Sequence, residues 1–186
     1  MIPRMPIAPG THTFGPENGT LAVRTGRTGA AAKAGHDLLL HVTSWQATLE
    51  VGDDLERSSV VFDADATSLR VLEGTGGMQA LGDDDKASIQ ETIDDEILKR
   101  EGITFRSTAV NVAPDGSGIE VQGELTLVGE SRPISLELAA GDGRLTAGTV
   151  LKQSEWGIKP YSTLFGALKV ADEVEVSLDA ALPQPV

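Results

Sequence analysis

The chain has 186 residues, no cysteine, and 28 acidic against 15 basic side chains, a formal net charge of −13. That length suits one domain with enough chain to bury a core. The acidity argues against a nucleic-acid partner, whose phosphates need clustered Lys and Arg, and against strong docking on an anionic membrane surface; the missing cysteines remove disulfides, thiolate nucleophiles and cysteine metal sites.

The first ten residues carry three prolines and no apolar stretch of signal-peptide length. They do not read as a secretory signal, so a cytoplasmic location is expected, with residues 1–9 as a loose N-terminal tail. Beyond them, alternation of period two dominates, the mark of half-buried strands. Strands are expected near 19–26 and 35–44. Next, Trp45, Ala47, Leu49 and Val51 share one face, while Gln46, Thr48 and Glu50 share the other. Further strands are expected near 57–63 and 67–72.

Over 83–100 the period becomes helical, with Ile89, Ile93 and Ile97 four apart and Leu98 beside them. Asp83, Asp84 and Asp85 open this segment, where free N–H groups and the dipole favour carboxylates. Lys99 and Arg100 close it and Gly102 follows as a stop. So narrow an apolar stripe places the helix against the rim or surface of the sheet.

Strands resume near 103–112 and 118–128, joined through Pro114-Asp-Gly-Ser-Gly118. In the second, Ile119, Val121, Leu125 and Leu127 oppose Glu120, Gln122, Glu124 and Thr126. Gly129-Glu-Ser-Arg132 leads to a strand from Pro133, and Gly141-Asp-Gly143 to one near 144–152. The last strand sets Val170, Val174, Val176 and Leu178 against Glu173, Glu175 and Ser177. One dry and one wet face per strand means antiparallel sheet, either a sandwich or a closed barrel of about eight strands. With only four Phe, two Trp and one Tyr, the side chains leave two outcomes for a barrel: a ligand cavity, or a flattened and well-packed interior.

Signals for chemistry are weak. His36 and His41 are an odd number of residues apart and fall on opposite faces of a strand, so they cannot share a metal without a bulge. An acid–base or metal role for His36 ranks below that of a hydrogen-bonded polar residue at a strand start or cavity mouth. Asp63 and Asp65 read as a solvated rim rather than a paired-carboxylate site. The Asp83–Asp85 run lacks the glycine that a calcium loop needs at its sixth position, where Ser88 stands, so helix capping explains it better. Gly74-Thr-Gly-Gly77 lacks the Lys-Ser/Thr of a phosphate-binding loop and reads as a flexible loop before the helix. The loop holding Trp156, Lys159 and Tyr161 forms either a gate over a barrel mouth, with Lys159 meeting an anionic head group, or a plug that closes the barrel end.

At these residues the chain resembles the YceI family, a lipocalin-like, polyisoprenoid-binding domain. Four segments carry the resemblance: Gly10-Thr-His-Thr-Phe14; the helix from Asp83 to Leu98 with Ile103-Thr-Phe105-Arg-Ser107 after it; Gly123-Glu-Leu-Thr-Leu-Val-Gly129 running to Arg132-Pro-Ile134; and Gly157-Ile158 with Val170-Ala-Asp-Glu-Val-Glu-Val176. The resemblance implies an extended antiparallel barrel with the helix near one opening, holding a long isoprenoid or related amphiphile without chemistry. Where many relatives carry "F-x-V-R-H" and "G-x-F" strands, this chain reads Leu21-Ala-Val-Arg-Thr25 and Ala34-Gly-His-Asp-Leu38, putting small and polar groups on the expected wall.

The reading is therefore an all-β, lipocalin-like closed antiparallel barrel that binds a long apolar ligand and is not an enzyme. Expected ligand-binding residues are Phe105, Leu125, Leu127, Leu136, Val174 and Val176 on the wall, with His36, Trp156, Lys159 and Tyr161 at the mouth. A long-chain isoprenoid or similar lipid is the expected partner and a homodimer is left open; no metal and no cofactor is expected. The alternative is a packed barrel serving as a protein-interaction or stress-related module, and a hydrolase or isomerase using His36 and a carboxylate ranks last.

Overall fold

The computed structural model describes residues 7–77, 79–114, 118–163 and 168–182. Alternating segments form the strands β1 (Gly10–Phe14), β2 (Gly19–Thr28), β3 (Asp37–Val42), β4 (Trp45–Val51), β5 (Ser59–Ala64) and β6 (Leu69–Thr75). After one helical segment come β7 (Ile103–Val112), β8 (Ile119–Leu127), β9 (Glu130–Gly141), β10 (Arg144–Lys152), β11 (Ser162–Thr163) and β12 (Leu168–Ala181). All pairs are antiparallel, in the order β1-β4-β5-β7-β8-β9-β10-β12-β2-β3-β6, with the short β11 added to β12.

The sequence led us to expect about eight strands where the sheet has twelve segments. Bends account for the difference. β3 runs on into β4 and β5 into β6, and across that bend Thr43 N donates to Ser68 O at 2.9 Å and Asp65 N to Ser44 O at 3.0 Å. The two bent strands pair along both halves, β4 with β5 and β3 with β6. One flank joins β7 through β5 and the other joins β2 through β3, so the ladder returns on itself. Treating β1–β2, β3–β4 and β5–β6 as single bent strands leaves eight around the ring.

Inward residues follow parity. Leu21, Val23, Thr25 and Arg27 on β2 face the same interior as Val170, Val174, Val176 and Leu178 on β12, paired as Leu21 with Leu178, Val23 with Val176 and Arg27 with Val170. A bulge between Val170 and Val174 re-aims the end of β12. Outward positions are acidic and exposed, including Glu50, Glu124, Glu173 and Glu175.

Turns follow local chemistry. Asp142-Gly143, with φ of 53° and 74°, makes the tight two-residue hairpin expected of that pair. Between β8 and β9 the turn is Val128-Gly129, with φ of 52° and 75°. β9 consequently begins at Glu130 rather than Pro133, because so tight a turn pairs Leu127 directly with Glu130, at the cost of a positive φ at Val128. Residues 115–117 of the expected Pro114–Gly118 turn lie outside those described, while Ala113 N donates to Gly118 O at 3.0 Å beneath it.

The helix α1 spans Asp83–Thr92 and continues as a π-helical turn over Ile93–Ile97. Asp85 accepts from Gly82 N at 2.9 Å, as acidic capping requires. The expected end at Arg100 is too late: Leu98 N still donates to Ile93 O, but Lys99 and Arg100 turn left-handed at φ 53° and 57°. The chain thus reverses before Gly102 is reached. This segment also covers the free edge of β6, where Gln90 Oε1 accepts from Val71 N at 2.9 Å and Lys86 Nζ donates to Leu72 O at 3.0 Å. Of the tail expected over 1–9, only Ile7 onward is described, and Ile7 is buried in the core.

Candidate functional site

The barrel encloses an apolar hollow in two compartments. The outer one, about 550 Å³, is walled by β2, β3, β8 and β12 and by the helical segment. The inner one, about 140 Å³, lies deeper, among Phe14, Leu49, Phe105, Leu136, Leu145 and Leu178. Leu21, Phe62, Leu125, Leu151 and Val176 border both and form a neck between them. Many of these side chains, including Phe62, Leu127, Leu136 and Val174, are only partly buried although they point inward. A densely packed interior would hide them fully.

One end of the interior is sealed by aromatics. Phe14 is buried, Trp45 stacks in a tilted geometry on Phe62 at 6.3 Å, and a Cβ on Gly19 would stand 3.2 Å from the Trp45 ring. The inner compartment owes its shape partly to Gly123, which faces inward where any Cβ would overlap the Arg106 carbonyl and the Phe105 ring. Glycine there lets Phe105 lie flat across β8.

At the other end the lining includes polar side chains from three segments. Arg27 is the last inward residue of β2, His36 precedes β3 on its inward parity, and Lys169 is the second residue of β12; all three line the outer compartment. Arg27 Nε donates to Asp37 Oδ1 at 3.0 Å and Nη1 donates to the Gly35 carbonyl. The His36 Nε2 lies 2.6 Å from Gln79 O. Gly76 and Gly77, at φ 79° and 74°, back these two side chains: a Cβ would sit 2.5 Å from Arg27 Nη2 and from His36 Nε2. Within the glycine cluster, a side chain at Gly76 or Gly77 would be strained by the positive φ and would have to displace the end of Arg27 or His36.

The sequence-derived site residues divide. Phe105 and Leu136 line the inner compartment, Leu127 and Val174 the outer, and Leu125 and Val176 both. His36 and Tyr161 line the mouth, Tyr161 with 44% of its surface exposed. Trp156 and Lys159 line neither compartment. Trp156 is fully buried, with Nε1 donating to Leu125 O at 2.9 Å, and Lys159 points to solvent. The loop is therefore plug-like at Trp156 and gate-like only at Tyr161.

That loop is tied down by Asp172, which accepts from the Ser154 N and Oγ at 2.8 and 2.6 Å. The Ser154 hydroxyl first, and its amide second, hold the Asp172 carboxyl below the ordinary carboxylate range. Asp65, held low by Thr67, sits on the exterior rim. Among the described residues no group of three or more His, Asp or Glu side chains converges as a metal site would require.

Sequence patterning missed the contribution of Leu21, Val23, Leu38 and Leu40 and, above all, of the helix. Ile89, Ile93 and Ile97 do not lie on an outer rim but form part of the outer wall, joined by Ser88 and Thr92. The π turn returns Ile97 to the same side, a geometry that four-residue spacing alone does not disclose.

Comparison with known proteins follows the same outline. No curated protein matches this chain. BcnA of Burkholderia cenocepacia is similar in structure, with TM-score 0.62 and 15% identity over 89% of this chain and 96% of that one. The YCEI protein of Campylobacter jejuni superposes with TM-score 0.56 and 12% identity, covering 79% of this chain and 85% of its own. At such identities the likeness is one of fold. Residues 20–182, nearly all of the barrel, match the YceI-like domain, and the chain belongs to that family.

Proposed function

We propose that this protein binds and carries a long apolar or amphiphilic molecule, such as a polyisoprenoid, inside the barrel without transforming it. The observation that carries the proposal is the two-compartment hollow with its almost wholly apolar wall. Membership of a family of barrels that bind apolar ligands supports it. The outer compartment alone falls within the roughly 300–1,000 Å³ typical of small-molecule sites. Each methylene moved into it gains about 0.8 kcal/mol. About twenty such groups therefore offset an association cost of roughly 4–15 kcal/mol with few polar contacts.

In this reading Phe105, Leu125, Leu136 and Val176 hold the tail, Leu127 and Val174 the middle, and His36 and Tyr161 the polar end. Trp156 acts indirectly, by fixing the loop that carries Tyr161. Catalysis is not part of the proposal: the carboxylate beside His36 is Asp37, whose Oδ1 is engaged by Arg27. A barrel working only as a protein-interaction module gains nothing from leaving its interior hollow.

Native mass spectrometry of gently purified protein tests the proposal. Retained lipid mass, or uptake of isoprenoids from micelles, is expected. A spectrum that is apo throughout and unchanged by added isoprenoid overturns it.

A further inference from the structure

We propose that the barrel has a side door: the gap where β9 and β10 part is a lateral entrance to the inner compartment, through which the tail of an apolar ligand passes without being threaded past the neck. The inference rests on the carrier reading above and goes beyond it by assigning the route.

Its basis is a ladder that stops halfway. β9 pairs with β8 from Glu130 to Leu138, and β10 pairs with β12 from Arg144 to Lys152. Between β9 and β10 the ladder runs only from the Gly141–Arg144 pair to the Glu137–Gly148 pair. Residues 130–136 on one lip and 149–152 on the other therefore have no strand partner across the gap. β10 leaves its neighbour at Gly148, and glycine inside a strand often marks such a bend.

The sequence is suited to that gap. The two-residue turn makes Gly141–Arg144 a hydrogen-bonded pair, and alternation makes Glu137–Gly148 another. The backbone groups of Pro133 and Ser135 are then aimed at β10, and those of Val150 and Lys152 at β9. Thr149 Oγ1 donates to Ser135 O at 3.0 Å, as that direction requires. Pro133 falls where its missing N–H costs no ladder bond. All four residues are exposed, so water satisfies groups that a ladder would otherwise pair. A proline on this lip also disfavours an added strand from another chain.

Side chains rather than a ladder shut the gap. Ile134, Leu136 and Thr149 line the inner compartment and Leu151 borders both, so the gap runs alongside the neck. At its far end the turn Gln153–Trp156 crosses from β10 to the opposite lip. There Arg132 Nε donates to Glu155 O at 2.9 Å, and the buried Trp156 fills the space beneath while its Nε1 reaches Leu125 O. The two bonds that bridge the lips, Thr149 to Ser135 and Arg132 to Glu155, are both exposed. Parting the lips breaks these local bonds and leaves the ladders on either side intact, an opening far smaller than global unfolding.

Because the chain has no cysteine, the gap can be closed by a reversible disulfide. Ser135→Cys with Val150→Cys uses two exposed positions that a continued register would set opposite each other. Stopped-flow fluorescence then follows uptake and release of all-trans-retinol by the full chain. Oxidation should slow both by about tenfold or more at unchanged equilibrium affinity, and dithiothreitol should restore them. Arg132→Ala removes one bridging bond at an exposed site and should speed both rates; it decides the matter if the pair cannot be oxidised. Unchanged rates in the oxidised pair, or in Arg132→Ala, overturn the side door and leave the carrier reading standing. Hydrogen exchange judges the gap without any ligand: the amides of Val150 and Lys152 should exchange about a hundredfold faster than those of Thr149 and Leu151, which alternate toward β12. Equal protection overturns the door. No retinol binding by any form overturns the carrier reading itself, and the exchange pattern then still judges the gap.

Discussion

Trp156 shows how much one side chain can contribute without touching the cavity. Its ring is buried and its N–H reaches Leu125 O, a carbonyl on a neck residue. Trp156→Phe keeps most of the apolar volume and removes the hydrogen bond, which should cost about 1–3 kcal/mol. In a chain of this size that is a drop of roughly 2–4 °C per kcal/mol in the melting temperature. An unchanged melt would mean the bond contributes nothing. Gly123 makes the complementary case. An added methyl would meet the Arg106 backbone, which cannot swing aside as a side chain can. Gly123→Ala should lower the denaturation midpoint by the equivalent of about 1–3 kcal/mol, the usual range for overpacking. A midpoint within error of the parent would show that β8 yields without cost.

Among elements, the short helical turn at Gln153–Trp156 is the one whose stability should respond to acid. Asp172 on β12 anchors it through two bonds from Ser154 that hold the carboxyl ionised to lower pH than usual. A carboxyl with a depressed folded pKa stabilises the fold above its unfolded value, near 4, and that contribution disappears as pH falls through the folded value. Asp172→Ala should therefore melt lower than the parent at pH 7, and the gap should close as the pH is taken below about 4. Parallel melting curves across that range would dissociate Asp172 from the loop. The helix α1 illustrates an element with two tasks: Gln90 and Lys86 satisfy the edge of β6, while Ile89, Ile93 and Ile97 face the hollow.

At the level of the whole molecule, the two compartments adjoin at the neck residues they share. Val176 borders both compartments on β12. Val176→Phe places a ring in space that is already vacant, so it should leave melting nearly unchanged while weakening uptake of a long-chain ligand about tenfold or more. Retained affinity would confine the ligand to the outer compartment. Loss of stability together with affinity would mean the neck is tighter than its lining suggests.

Sequence patterning by itself determined antiparallel sheet, and resemblance to the family turned that into a barrel. Strand and helix segments appear where alternation and capping place them, because those signals depend on residues adjacent in the chain, and the ordered segments from Gly10 to Val176 carried the family. It also determined the inner face of β8 and β12, since parity within a strand is local; hence Leu125, Leu127, Val174 and Val176 are found lining the hollow. Tertiary structure decided what lies across from what. The bends that let twelve segments close as eight, the turn of the Ile89 stripe toward the interior and the burial of Trp156 away from it depend on contacts far apart in sequence. The meeting of Arg27, His36 and Lys169 is the plainest instance. Nothing near any one of them announces the other two, and only closure of the sheet places all three on the lining of one opening.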